Sequence, residues 1–366
     1  MRLQTVIGVA LCGALGLACG GGPGVVAPPD NHQAPFADLG QRKAVLSGVV
    51  YDPEAFFYSL AMFPQDPEHP EQTPPPALLS GIPYLLQSAL PNTRVAVMDG
   101  TTQAVASPPS TPTGDWQAIG VPGHDEARFE LFATPPTGEL NLGADFFPSP
   151  PFAAVPTARY FPTRTLKTVL PARTYCFDQV ATAVGSAGAL EALANFETMI
   201  GNPTTVDDLR DPAKTGGVLL LWAYSPSFVL DLFTIPSDPN VRLFTNNGTA
   251  YAIEWAPPGV LPPGFQSAMG YFVGGPASET GSSLGYYAIV LPPGASPQVS
   301  VTVTDTLESE DPTDGRPWVF PELNATVRPG VSFRRHFAQP SPTEGPPPDE
   351  NAEPFPSPDF TFTCDQ

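Results

Sequence analysis

The sequence predicts an all-β fold, two β-sandwiches in tandem with a short helical connector, and three observations carry that expectation. Proline makes up 50 of the 366 residues, far above its usual share of about 5%, and a chain so interrupted forms neither long helices nor long strands. Apolar residues come in short runs that suit strands, several of them alternating with a period of two. The same order of motifs occurs twice, once on each side of a helical stretch.

Residues 1–18, MRLQTVIGVALCGALGLA, give a short basic start at Arg2 and a mostly apolar run that stops at small residues. That run is short for a permanent membrane span and has the layout of a secretory signal. Leu15-Gly16-Leu17-Ala18-Cys19 resembles the lipobox of bacterial lipoproteins, matching at Leu17, Ala18 and Cys19 and departing at Gly16. The resemblance implies acylation of Cys19 and a membrane partner reached through that lipid. Gly16-Leu17-Ala18 also satisfies ordinary signal cleavage, which would release the protein, so both outcomes stay open. Gly20 after Cys19, in place of Asp, is similar to lipoproteins sent to the outer membrane. Residues 19–42 are rich in Gly and Pro and read as a tether that holds a domain off a surface.

The first sandwich is expected over residues 43–160. Its strands are AVLSGVVYD at 44–52, LPNTRVAVMDG at 90–100, and two short strands around Val121-Pro122-Gly123 within 113–134. Residues 53–90 read as an insertion that includes EAFFYSLAMF. The second sandwich is expected over residues 216–338, with GGVLLLWAY at 216–224, DPNVRLFTNNG at 238–248 and SLGYYAIVLPPGASPQVSVTVTD at 283–305. Pro91-Asn92-x-Arg94 aligns with Pro239-Asn240-x-Arg242 at an offset of 148, and Trp116, Ala118 and Ile119 align with Tyr286, Ala288 and Ile289 at 170. Two offsets imply one insertion between the motifs.

Gly285-Tyr286-Tyr287-Ala288-Ile289-Val290-Leu291-Pro292-Pro293-Gly294 resembles the signature of carboxypeptidase regulatory-like domains. The first copy keeps Trp116 and Val121-Pro122-Gly123 but lacks one proline. The resemblance covers about half the chain and implies Greek-key, prealbumin-like sandwiches that act as accessory modules without catalytic residues.

The connector is expected over residues 161–215. Within it, Leu190, Leu193, Ala194, Met199 and Ile200 fall near one face of a helix stopped by Gly201 and Pro203. Thr205 and Asp208 have the spacing of a capping box. Residues 339–366 form a Pro- and acid-rich tail.

Charge excludes a nucleic-acid partner: 16 Lys plus Arg stand against 36 Asp plus Glu, a formal net charge of −20, whereas phosphate binding needs clustered cations. Arg334-Arg335, the densest basic spot, reads as a solvated edge. Gly281-Ser282-Ser283-Leu284-Gly285 fits the text of a hydrolase nucleophile elbow, but a loop precedes it and a strand follows, the wrong context. His124-Asp125-Glu126 reads as a solvated turn. Asp305, Glu308, Glu310, Asp311 and Asp314 are candidate calcium ligands without EF-hand spacing, and an acidic linker is the preferred reading. Most aromatics are expected in the cores, one of each adjacent pair facing in, with an outward platform for sugars or peptides built from such rings as Trp255 and Tyr287 as the alternative.

Export would place Cys176 and Cys364 in an oxidising compartment, where an isolated pair forms a disulfide that ties the tail to the connector. The reading that results is a non-catalytic, lipid-anchored envelope protein acting as a structural or adhesion module, with no cofactor. The alternative is a surface lipoprotein that binds carbohydrate or calcium, and a glycan or a surface protein is the partner class left open.

Overall fold

A computed structural model describes residues 43–62, 82–123, 128–143, 154–169, 178–224, 241–304 and 318–341. Among them strand predominates over helix, an all-β chain with few helices. The first half carries β1 (Lys43–Tyr51), α1 (Pro53–Ala61), α2 (Ile82–Ser88), β2 (Arg94–Asp99), β3 (Thr102–Ala106), β4 (Asp115–Pro122), β5 (Phe129–Thr134), β6 (Glu139–Leu140), β7 (Ala158–Phe161), β8 (Thr163–Val169), β9 (Asp178–Thr182) and β10 (Val184–Gly185). After α3 (Ala189–Met199) come β11 (Gly217–Tyr224), β12 (Arg242–Thr245), β13 (Thr249–Trp255), β14 (Tyr271–Pro276), β15 (Tyr286–Leu291), β16 (Gln298–Thr304), β17 (Trp318–Val319), β18 (Leu323–Thr326), β19 (Val331–Phe337) and β20 (Gln339–Pro340).

The two halves repeat one pairing scheme. β1 lies antiparallel to β4 and parallel to β9; β11 lies antiparallel to β15 and parallel to β19. β5 takes β2 and β8 as antiparallel neighbours, and β16 takes β12 and β18. Arg94 opens β2 opposite Thr134, the last residue of β5, and Arg242 opens β12 opposite Thr304, the last residue of β16. The halves differ at β3 and β13: β3 pairs with β2, whereas β13 leaves β12 and pairs with β15. The step in offset between the repeated motifs falls where the second half adds β14 and the loop before it.

A single sheet runs through both halves. Its order is β14-β13-β15-β11-β19-β8-β5-β2-β3, nine strands, and β19 is the seam. Val331 of β19 stands between Val218 of β11 and Thr163 of β8, parallel to both. The β4-β1-β9 and β12-β16-β18 sheets supply further layers.

β11 shows why this arrangement suits its sequence. All eight residues of GVLLLWAY are buried, the continuous apolar run of a strand covered on both faces. Val218, Leu220 and Trp222 join a core that includes Leu46, Val50 and Trp116 of the first half, while Leu219, Leu221 and Ala223 join a second core with Leu243, Val299 and Val301. The first core therefore spans both halves. All described residues belong to one compact unit, Gly40–Gln366.

Several expectations differ from what is found. Residues 161–215, read as a helical connector, open with β8, β9 and β10, strands of the first half's own sheets. The segment TRTLKTV lacks an apolar alternation because its inward positions are threonines. Thr163 and Thr165 are buried and their hydroxyls are spent locally, Thr163 donating to the Phe161 carbonyl and accepting from the Val184 amide, Thr165 bonding to Thr182. On α3, Leu190, Leu193 and Ala194 are buried as the spacing predicts, but Met199 and Ile200 are about half exposed, 50% and 53%, because the helix runs past the edge of what it covers. The capping box forms as expected: Thr205 N donates to Asp208 Oδ2 at 2.9 Å and Asp208 N to Thr205 Oγ1 at 3.2 Å.

Candidate functional site

The most unusual chemistry among the described residues is a pair of buried carboxyls where the two halves meet. Asp52-Pro53-Glu54 has a local logic. Asp52 is the N-cap of α1, its carboxylate accepting from Glu54 N at 2.8 Å, and Pro53 occupies the first turn, where a missing N–H costs nothing. Both acids are nevertheless fully buried.

Glu54 makes contacts that reach far along the chain. Its Oε1 accepts from Ala189 N at 2.7 Å and from the Tyr286 hydroxyl at 2.8 Å. Its backbone carbonyl accepts from the Tyr271 hydroxyl at 3.0 Å. The N-cap of α3 is Gly188, which has no side chain to offer, so Glu54 does the capping from another part of the sequence and also meets the positive end of the helix dipole. Glycine is required here by close approach: a Cβ on Gly188 would lie 2.0 Å from Glu54 Oε2.

Around the acids, aromatic rings close the space. Phe57, one turn on from Glu54, packs its ring 5.6 Å from Trp222, 5.5 Å from Trp255 and 6.2 Å from Tyr271. Trp222 stacks on Tyr286 with centroids 4.3 Å apart. Glu54 Oε2 makes no hydrogen bond, and Asp52 and the Tyr160 hydroxyl face each other without a well-formed one. Tyr160 still sits close enough to Asp52 for the two to shift each other's proton affinity.

Burial dominates the electrostatics. It pushes the Asp52 carboxyl well above the usual carboxylate range, partly opposed by the Glu54 amide that bonds it. It pushes Glu54 up as well, with the charge of Asp52 acting in the same direction. Burial and the neighbouring acids raise the hydroxyls of Tyr160, Tyr271 and Tyr286. Two carboxyls in one desolvated place cannot both be charged cheaply, so the arrangement is suited to keeping a proton. Both carboxyls are closed to solvent.

The residues singled out in the sequence are placed as follows. Cys19, Cys176 and Cys364 lie outside the described residues, as do His124-Asp125-Glu126 and the acidic run Asp305, Glu308, Glu310, Asp311 and Asp314. Among the described residues no group of three or more metal-ligating side chains is gathered, and no helix is long and apolar enough to cross a membrane. Ser283 is exposed in the loop before β15, bonded to the Glu254 carboxylate. His336 is the one histidine among the described residues, buried on β19 beside Phe320.

Two expectations about surface residues are corrected. Tyr286 and Tyr287 are both fully buried, because β15 is covered on its two faces, so the pair does not present one ring outward. The Tyr287 hydroxyl donates to the Val241 carbonyl at 2.9 Å, and Trp255 Nε1 donates to the Met269 carbonyl at 2.7 Å. Arg334, read as part of a solvated edge, donates to the Leu166 carbonyl at 2.7 Å and is only partly exposed.

In the sequence Asp52 was legible only as the end of the first strand and Glu54 only as part of the insertion that follows it. Asp followed by Pro and Glu is a helix-start signal, but nothing local announces burial. No family model matches the chain, and no curated protein or solved structure matches it.

Proposed function

We propose that this chain is a lipid-tethered protein of the bacterial cell envelope whose folded body is a non-catalytic structural or adhesion module. In this reading the body consists of two tandem prealbumin-like sandwiches fused edge to edge, and residues 19–42 tether it to a membrane through Cys19, in the outer membrane by the resemblance at Gly20. The observation that carries the reading is the fusion itself. β19 pairs with β8 to make one sheet of the two halves, and α1 inserts Phe57 and Glu54 among residues of the second half. A joint of this kind resists bending between modules, which is what a spacer or adhesive arm requires. The aromatics on which a sugar platform would rest support the structural reading over a carbohydrate-binding one, since Tyr287 is buried and Trp255 packs on Phe57.

The test is fractionation of cells that express the full chain. Labelled fatty acid should enter the wild-type protein and not Cys19→Ala, and the variant should leave the membrane fraction. Equal membrane retention of both forms would remove the anchor from the proposal. Non-reducing peptide mapping of exported protein should recover Cys176 joined to Cys364.

A further inference from the structure

We propose that Asp52 and Glu54 form a proton-loaded clasp: a proton retained on the carboxyl pair holds α1 against α3 and β15, and its loss to solvent loosens the joint between the two halves. The geometry carries this. Glu54 bonds α3 through Ala189 N and β15 through Tyr286, while Asp52 starts the helix on which Glu54 stands. Both acids are fully buried, and Glu54 Oε2 is left without a hydrogen bond.

The groups that face the pair offer no compensating charge. They are Tyr160 of β7, Tyr271 of β14, Tyr286 of β15 and, on α3, Glu191. Among the described residues no lysine, arginine or histidine contributes to the environment of either acid. The α3 N-terminus supplies only a partial positive charge, already engaged by Glu54 Oε1. A second full negative charge in this enclosure is therefore unmatched. When the proton passes to solvent, the pair gains one negative charge and the packing that excludes water must yield.

The direction in pH follows from the shifts. Asp52 rises from 3.8 to about 7 and Glu54 from 4.5 to about 8 on folding. Groups whose affinity for protons is raised in the folded state add stability that is complete below their unfolded values, and that stability is lost as pH rises through the folded ones. The contribution should thus be complete below about pH 4, decline steadily as pH rises, and be gone above about pH 8.

The test uses the intact chain. Thermal unfolding midpoints are measured from about pH 5 to about pH 9 at fixed ionic strength for wild type, Asp52→Asn and Glu54→Gln. The wild-type midpoint should fall by several degrees across the range, and Glu54→Gln, which keeps the shape without the titrating group, should flatten the fall. Wild type alone gives a second readout: the infrared carbonyl band of a protonated carboxyl should persist at neutral pH in the folded protein and vanish on unfolding. A midpoint indifferent to pH together with no protonated carboxyl at neutrality would overturn the clasp. So would calcium restoring the alkaline midpoint of wild type and not of Glu54→Gln, since the pair would then be a cation site.

Discussion

The Tyr286 hydroxyl donates to Glu54 Oε1 at 2.8 Å, joining the first strand–helix corner of the chain to a strand of the second half, 232 positions later. That bond belongs to a larger joint in which a helix start, a helix N-terminus and a stacked aromatic pair close around two acids. Tyr286→Phe keeps the ring that stacks on Trp222 and removes only the donor. It should lower stability by about 1–3 kcal/mol, the cost of leaving a buried acceptor underbonded, with the near-ultraviolet circular dichroism of the folded state retained.

Phe57 is the aromatic plug of the same joint, touching Trp222, Trp255 and Tyr271. Truncation to alanine opens a cavity among rings that cannot collapse into it. Phe57→Ala should cost about 3–5 kcal/mol, read from denaturant unfolding, and tryptophan emission should shift because two of the four tryptophans lose a packed neighbour.

Gly188 is a test of close approach. A methyl group there would meet Glu54 Oε2 at 2.0 Å, so Gly188→Ala should destabilise the protein by more than the modest cost alanine ordinarily carries relative to glycine at an N-cap. Combined with Glu54→Ala, which removes the opposing carboxyl, the substitution should cost less than the two single effects added together. Simple additivity would mean that the crowding at Gly188 is not with Glu54.

How much of this was legible in the sequence depends on how local each feature is. β11 and β16 announce themselves, one by an unbroken apolar run and the other by strict alternation in QVSVTVT. The doubled order of motifs is readable for the same reason, since the arginine of Pro-Asn-x-Arg, Arg94 or Arg242, opens an equivalent strand in each half. β8 is hidden because threonine hydroxyls, satisfied by neighbours, take the inward places where apolar residues would betray a strand. Tyr286 and Tyr287 mislead because alternation assumes one open face, whereas β15 has none. The acid pair is the least legible. Its helix-start signal is local, but its partners Ala189 and Tyr286 are 135 and 232 positions away, and no pattern within a short window encodes such a meeting.

The seam at β19 and the plug at α1 should make one cooperative body of the two halves. Native-state hydrogen exchange in increasing urea tests it most directly, by comparing the best-protected amides of β5 in the first half with those of β15 in the second. One body requires that both sets exchange with the same opening free energy and the same dependence on urea. A separate opening of either strand at markedly lower free energy, with the other still protected, would contradict it.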